Sequence, residues 1–164
     1  TFHRLPAMTR GVLIVPMPTL MHRLPPTEYV AGNSLVLEPG QALMLDDFRR
    51  NLERNGYRNV ETVYEHGEFA LRGSLLDVFP MGSNLPYRID LLDDEVDTLR
   101  TFDPETQRTV DRVEAINLLP AREFPMDRGA IQRFQMNWYE TFESDPDRCP
   151  TYVEVSAGRV PGGC

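Results

Sequence analysis

The stretch Glu68-Phe-Ala-Leu-Arg-Gly-Ser-Leu-Leu-Asp-Val-Phe79 holds two short runs of β-forming residues on either side of Gly73 and Ser74. Runs of this length, separated by a glycine-containing turn, predict two strands joined in a hairpin. The same pattern continues on both sides, with Gly, Pro and Asp between the runs. The predicted strands are Thr62 to Glu65, Glu68 to Leu71, Leu75 to Phe79, Tyr87 to Leu91, Val96 to Phe102 and Thr109 to Val113. Together they predict hairpins in an antiparallel sheet.

One helix is predicted to pack on this sheet. Leu45, Phe48 and Leu52 recur at helical spacing and form one apolar face. Asp46 offers a side-chain oxygen as a cap, and Gly56 provides the left-handed stop. The fold class is therefore mixed α/β (α+β), a compact module of antiparallel hairpins with one packed helix.

Three domain pieces are predicted along the chain. Residues 1–33 are the end of a preceding α/β domain and a linker, 34–120 are the compact module, and 121–164 begin a further element. In the first piece, Arg10-Gly-Val-Leu-Ile-Val-Pro16 predicts a strand buried on both faces. The first piece also predicts a short helix over Thr19 to Leu24. The second is predicted to begin with a strand over Ser34 to Glu38 and to close at Asn117 to Pro120. In the third we predict a helix capped by Asp127, with the apolar stripe Ile131, Phe134, Trp138 and Phe142. Because the chain starts with Thr1 rather than Met, we expect an excised segment of a longer protein.

Composition limits the function classes. With 41% hydrophobic and 26% charged residues, the 164-residue chain falls among soluble globular proteins. Its longest aliphatic run, Val12 to Val15, is far short of the ~20 residues that a membrane span needs. We therefore expect no membrane contact. Because only two cysteines are present, we expect reduced thiols and a cytoplasmic protein.

The charged residues exclude further classes. The net charge of -8 opposes non-specific binding to nucleic acid. All 17 basic residues are arginine, so the segment has neither a P-loop lysine nor a Schiff-base lysine. We therefore expect no ATP hydrolysis, no catalytic residue and no cofactor within these residues.

Two clusters carry residue types that also occur in metal or catalytic sites. Asp90, Asp93, Asp94, Glu95 and Asp97 are dense in oxygen ligands, but the sequence lacks the pattern of a calcium loop, and a hairpin turn explains the cluster. The run Glu65-His66-Gly67-Glu68 places an imidazole between carboxylates, as around a general base, yet a surface or turn histidine is favoured. We predict no metal site.

A strand over Tyr87 to Leu92 predicts an interaction face. Alternation places Arg88, Asp90 and Leu92 on the side opposite Tyr87, Ile89 and Leu91. Arginine beside an apolar residue is typical of binding hot spots, and Arg72 is a candidate to join this patch. The alternatives are a solvated sheet face with an Arg–Asp pair for Arg88 and a strand-end salt bridge for Arg72.

The chain also resembles a known family. The residues that carry the resemblance are Arg10-Gly-Val-Leu-Ile-Val-Pro16, Glu65 to Pro80, Pro86-Tyr-Arg-Ile-Asp90, Asp93-Asp-Glu-Val-Asp97 and Val113 to Ala121. They are similar to the bacterial transcription-repair coupling factors (Mfd), and the middle part also resembles the small domain of the excision-repair protein UvrB. The resemblance implies that residues 1–33 and 121–164 belong to a first UvrB-like subdomain, and that 34–120 form the second subdomain.

The resemblance implies a binding function. Family members are ATP-dependent translocases that displace stalled RNA polymerase from duplex DNA, with ATP and magnesium bound in the motor, and they recruit UvrA through the second subdomain. Arg72 and Arg88 match arginines that contact UvrA, and Leu92 occupies a position often held by phenylalanine. The resemblance also implies that a C-terminal domain of the parent covers this face. Two alternatives are a fragment of a UvrB-like, ATP-dependent DNA-handling domain and a DNA-contacting module.

Overall fold

The computed structural model describes residues 8–21, 25, 27–122, 124–143 and 145–161. The chain divides into two compact units, Thr1–Glu123 and Phe124–Cys164. Both contain helices, and the sheets lie in the first unit. The prediction of a mixed α/β fold with antiparallel hairpins is confirmed.

Six strands of the first unit form one sheet in chain order. They are β2 (Arg58–Asn59), β3 (Glu68–Arg72), β4 (Leu75–Val78), β5 (Tyr87–Leu92), β6 (Glu95–Phe102) and β7 (Thr109–Val113). All neighbouring pairs are antiparallel except β2 and β3, which run parallel. A second sheet pairs β1 (Leu35–Leu37) with β8 (Ile116–Leu118). Five of the six strands predicted from residue 62 onward are present.

The main core lies between the large sheet and α3 (Leu45–Arg54). Phe48 and Leu52 of the helix are buried with Leu76, Ile89 and Leu99, which come from three adjacent strands. These strand residues lie directly opposite one another, so they form one continuous apolar row. The opposite side of the sheet is therefore free to carry the charged residues.

The predicted strand Thr62 to Glu65 is wrong. The backbone N–H groups of Tyr64 and Glu65 each donate to one oxygen of the Glu68 carboxylate, at 2.9 Å. A side chain thus satisfies donors that a strand would direct to a neighbouring backbone. This segment is an irregular loop, and the strand that precedes it is the two-residue β2 at Arg58–Asn59.

The predicted buried strand at residues 10–16 is also wrong. This segment is irregular and lies exposed, with Val12 and Ile14 at 88% and 87% of full exposure. Within the described part of the chain no strand pairs with it, so its apolar side chains stay in water. The helices α1 (Met17–Leu20) and α2 (Thr27–Gly32) follow, and the predicted helix over Thr19 to Leu24 reaches residues 22–24, which lie outside the described residues.

The ends of α3 differ in how well the sequence predicts them. The helix begins after Met44, without a side-chain cap, so Asp46 lies in the first turn and is not the cap. In the first turn, the negative charge of Asp46 interacts favourably with the positive end of the helix dipole and stabilises the helix. Gly56 has φ +92° and ends the helix as predicted.

We expect Gly56→Ala to destabilise the first unit by about 1–2 kcal/mol, because a left-handed backbone disfavours a Cβ atom. The new Cβ would also lie 2.4 Å from Cγ of Arg122, which must move. Gly32→Ala is the control: its φ is not in the left-handed region, and no atom lies within 4 Å of the added methyl group. Urea denaturation should show a loss for the first variant only; equal midpoints would contradict the cap assignment.

The second unit is a helical pair. Asp127 caps α4 (Arg128–Thr141) by accepting a hydrogen bond from the Ala130 N–H at 3.0 Å, as predicted. A 3₁₀ turn (Pro146–Arg148) leads to α5 (Pro150–Ser156), whose Tyr152 packs with Trp138 at 5.3 Å between ring centroids. In the described ranges, none of the helices is both long and apolar enough to cross a bilayer.

Candidate protein-interaction face

The sheet surface opposite α3 carries a charged patch that we call the arginine face. It consists of Arg72, Asp77, Arg88, Asp90, Arg100 and Arg112. Strand register places Asp77 opposite Arg88, Arg88 opposite Arg100, and Arg100 opposite Arg112. One row of charges therefore crosses four strands from β4 to β7.

Asp77 is the centre of the arginine face. Its side chain is fully buried, and both of its oxygens accept hydrogen bonds from Arg88, at 2.7 Å from Nε and 2.8 Å from Nη2. Arg72 forms an ion pair with the same carboxylate. Two arginines from different strands thus share one buried negative charge, which offsets the cost of burying it.

Arg88 is held on every side. Its guanidinium lies 4.5 Å from the centre of the Phe102 ring, and Nη1 donates to the Gln107 carbonyl at 3.2 Å. Hydrogen bonds to Asp77 raise the pKa of Arg88 above its ordinary value, against the opposing effect of burial. With 14% of its side chain exposed, Arg88 is rigid and charged but still reaches the surface.

The loop between β2 and β3 (residues 60–67) packs at one end of the arginine face. Val63 packs with Ala70, Phe79 and Phe102 in a small second core. Gln107, which has φ +59°, donates from Nε2 to the Val63 carbonyl at 3.1 Å and so ties the β6–β7 turn to this loop. The Phe102 ring beneath Arg88 is therefore held in place by this loop and by the β6–β7 turn.

At the other end lie Asp90 and Leu92. Asp90 accepts a hydrogen bond from the Thr98 hydroxyl at 2.7 Å and forms an ion pair with Arg100, not with Arg88. Leu92 lies at the end of β5 and is 68% exposed. The two-residue turn after it contains Asp93, whose φ is +55°.

The structure gives each predicted site residue a definite place. Arg72 and Arg88 come together on Asp77, whereas Leu92 lies four residues from Arg88, about 13 Å along an extended strand. Both arginines make the internal ion pairs that were the alternative interpretation. These pairs fix the guanidinium groups without burying that of Arg72, which is 45% exposed.

The cluster Glu65 to Glu68 has a structural role. His66 stacks on Phe79 with ring centroids 3.9 Å apart, and one ring nitrogen lies 2.8 Å from the Ser83 carbonyl oxygen. Glu68 accepts hydrogen bonds from the backbone N–H groups of Tyr64 and Glu65, and it forms an ion pair with Arg58 at 2.8 Å. Among the described residues, no group of three or more His, Cys, Asp or Glu side chains is arranged to hold a metal ion.

Sequence reasoning missed Asp77 and Phe102. A lone charge in the run Leu75-Leu-Asp-Val-Phe79 is the available signal, because a charged residue inside a strand this apolar needs a partner. Nothing in the sequence identifies Phe102 as the ring under Arg88, since that contact depends on register between β5 and β6.

Comparison with known proteins gives two kinds of match. A family model described as the UvrB interaction domain matches residues 35–124, more than half of the chain. The chain is also similar to proteins named transcription-repair-coupling factor: 54% identical to that of Escherichia coli K12 over 99% of this chain, 48% to that of Haemophilus influenzae Rd over 94%, and 35% to that of Staphylococcus haemolyticus over 82%.

The matched relatives are much longer than this segment. The chain spans 14% of the length of the first two and 12% of the third. The family description names an interaction domain, which confirms the prediction that the segment is a binding module. Because the family model covers residues 35–124, the chain belongs to the UvrB interaction domain family, and nearly its whole length matches transcription-repair-coupling factors.

Proposed function

We propose that this segment binds UvrA through the arginine face and Leu92, and thereby recruits excision repair within a transcription-repair coupling factor. The observation that carries the proposal is the pair Arg72 and Arg88, fixed on one buried aspartate and presented at a sheet surface. Leu92 adds an exposed apolar group on the same strand as Arg88.

The geometry suits protein binding because the arginines are already ordered. Each immobilised, flexible side chain opposes association by roughly 0.5–1.5 kcal/mol, and groups that are already held avoid this loss. Arg88 uses three of its five N–H donors internally, at Nε, Nη1 and Nη2, so two remain for a partner. Carboxylates are the acceptors that suit such forked donors best.

The parent protein supplies the rest of the proposed activity. There an ATP-dependent motor, with bound magnesium, moves on duplex DNA and displaces stalled RNA polymerase in the cytoplasm. UvrA recruitment follows when a C-terminal domain uncovers the arginine face. This segment contributes binding and no chemistry, consistent with the absence of lysine from its sequence.

The direct test is calorimetric titration of the chain with purified UvrA. We expect saturable binding that weakens by about thirtyfold or more in the Arg72→Ala/Arg88→Ala variant, because buried interface arginines contribute ~2 kcal/mol or more. Unchanged affinity would remove this face from the proposal. An absence of binding by the folded wild-type chain would overturn UvrA recruitment by this segment.

Leu92→Ala separates binding from folding. Because Leu92 is 68% exposed, its truncation should change the free energy of unfolding by no more than about 0.5 kcal/mol. Affinity for UvrA should fall about fivefold to thirtyfold, since an apolar interface anchor contributes ~1–2 kcal/mol. Val36→Ala, at 52% exposure on β1, is a matched control that should change neither quantity. Equal affinities for the two variants would exclude Leu92 from the interface.

A further inference from the structure

The row of charges on the arginine face continues past the residues of the proposed function. Arg88, Arg100 and Arg112 lie directly opposite one another on β5, β6 and β7. Directly opposed side chains in antiparallel strands have Cβ atoms about 4.5–5.5 Å apart, and like charges in such pairs destabilise a sheet. Three aligned arginines therefore need negative charge nearby.

The segment itself supplies only part of that charge. Asp77 supplies one negative charge for the two arginines Arg88 and Arg72, and Asp90 pairs with Arg100 through a single contact. The buried Nε of Arg100 has no hydrogen-bond partner. Arg112 is exposed, and the part of the chain that the structure describes offers it no ion pair. Negative charge thus decreases along the row toward β7.

The arginine face as a whole is positive on a negative molecule. Its four arginines and two aspartates give it a net charge of +2, whereas the chain carries -8. One unit of this excess lies at Arg72 and Arg88, which share Asp77. The other lies at Arg112, beside the outer edge of the sheet, where β7 has one neighbour. A local positive field on an acidic protein favours an acidic partner.

We propose that Arg100 and Arg112 extend the partner-binding surface from Arg88 to the edge strand β7, where they receive an acidic segment of the protein partner. The proposal rests on the proposed function and adds the chemistry of the contact: carboxylate groups that accept hydrogen bonds from the row of guanidinium groups. A protein segment is favoured over nucleic acid, because the charge of -8 repels a phosphate backbone over most of the surface.

Arg112 is the residue to test, because its side chain is exposed and holds nothing internal together. UvrA is titrated into the wild-type chain, Arg112→Glu and Arg54→Glu at low and high salt. Arg54 is an exposed arginine in the last turn of α3, which packs against the other side of the sheet, so it controls for the change in net charge. Thermal melts establish that both variants are folded.

We expect Arg112→Glu to weaken binding about tenfold at low salt, with a smaller loss at high salt, because exposed charges are screened. Arg54→Glu should stay within about twofold of wild type, since a charge far from an interface contributes little. If Arg112→Glu binds like Arg54→Glu while the folded Leu92→Ala variant is defective, the extension is wrong and the proposed function stands. If the folded wild-type chain does not bind UvrA, both are overturned. If Arg112→Glu instead reduces only salt-dependent binding to duplex DNA, the ligand is nucleic acid and the extension is overturned.

Discussion

Asp77→Asn should destabilise the first unit by about 3 kcal/mol, the size of effect seen when one partner of a buried ion pair is removed. The side chain of Asp77 is fully buried and accepts both hydrogen bonds of the Arg88 fork. Asparagine has nearly the same shape but brings no charge, and its amide group cannot accept the second hydrogen bond. The positive charge of Arg88 would be left at 14% exposure without its counterion. Urea denaturation followed by circular dichroism measures the loss.

Asp90→Asn is the matched control for that experiment. Asp90 lies on the same sheet face and also pairs with an arginine, but its side chain is 27% exposed. Solvent screens such a pair, so we expect a loss of about 1 kcal/mol or less. Equal losses in the free energy of unfolding for the two variants would mean that burial does not make the ion pair of Asp77 more stabilising than that of Asp90.

Phe102→Ala should be the most destabilising single truncation on the charged side of the sheet, at about 3–5 kcal/mol. The side chain is fully buried in the second core with Val63, Ala70 and Phe79. Its loss leaves a cavity under the covering loop and removes the ring on which Arg88 lies. We therefore expect both the free energy of unfolding and the affinity for UvrA to fall.

Two variants make the Phe102 experiment decisive. Tyr64→Ala removes an aromatic ring that is 57% exposed on the same loop, and should change stability by no more than about 0.5 kcal/mol. Phe102→Leu keeps most of the apolar volume and should cost about 1 kcal/mol. If Phe102→Leu folds normally but binds UvrA more weakly, the ring itself positions Arg88. If Phe102→Ala is no less stable than Tyr64→Ala, the second core does not hold this end of the sheet.

Local patterns predicted much of the fold. Five strands follow from short β-forming runs between turn residues, and Gly56 and Asp127 mark helix ends correctly because both act through the local backbone. The wrong strand at Thr62 to Glu65 has a different cause. There the Glu68 carboxylate accepts hydrogen bonds from two backbone N–H groups that a strand would direct to a neighbouring strand. The β propensities of the residues contain no information about such a contact.

The strand predicted at residues 10–16 failed for a non-local reason. Val12 and Ile14 have the composition of a buried strand, but a strand forms only when a neighbour accepts its hydrogen bonds. No described strand lies beside them. The apolar side chains of this segment are exposed instead of buried, so composition identifies the apolar character of the segment and not its conformation.

The candidate site was predictable as a set of residues but not as an arrangement. Alternation along β5 correctly separates Arg88 from Ile89. The partner of Arg88 is Asp77, eleven residues away, and not the nearby Asp90. That pairing depends on the register between β4 and β5, which is fixed by the apolar row on the far side of the sheet. Arg72, Arg88 and Leu92 remain predictions as UvrA contacts.

The position of the single tryptophan determines what optical measurements can report. Trp138 lies in α4, with the rings of Phe134, Phe142 and Tyr152 around it. Selectively excited tryptophan emission therefore reports on the helical pair alone, while far-ultraviolet circular dichroism also records the sheet. A melt followed by both signals reveals whether the two units unfold in one transition or in two. Because the chain carries this natural probe, no label is needed.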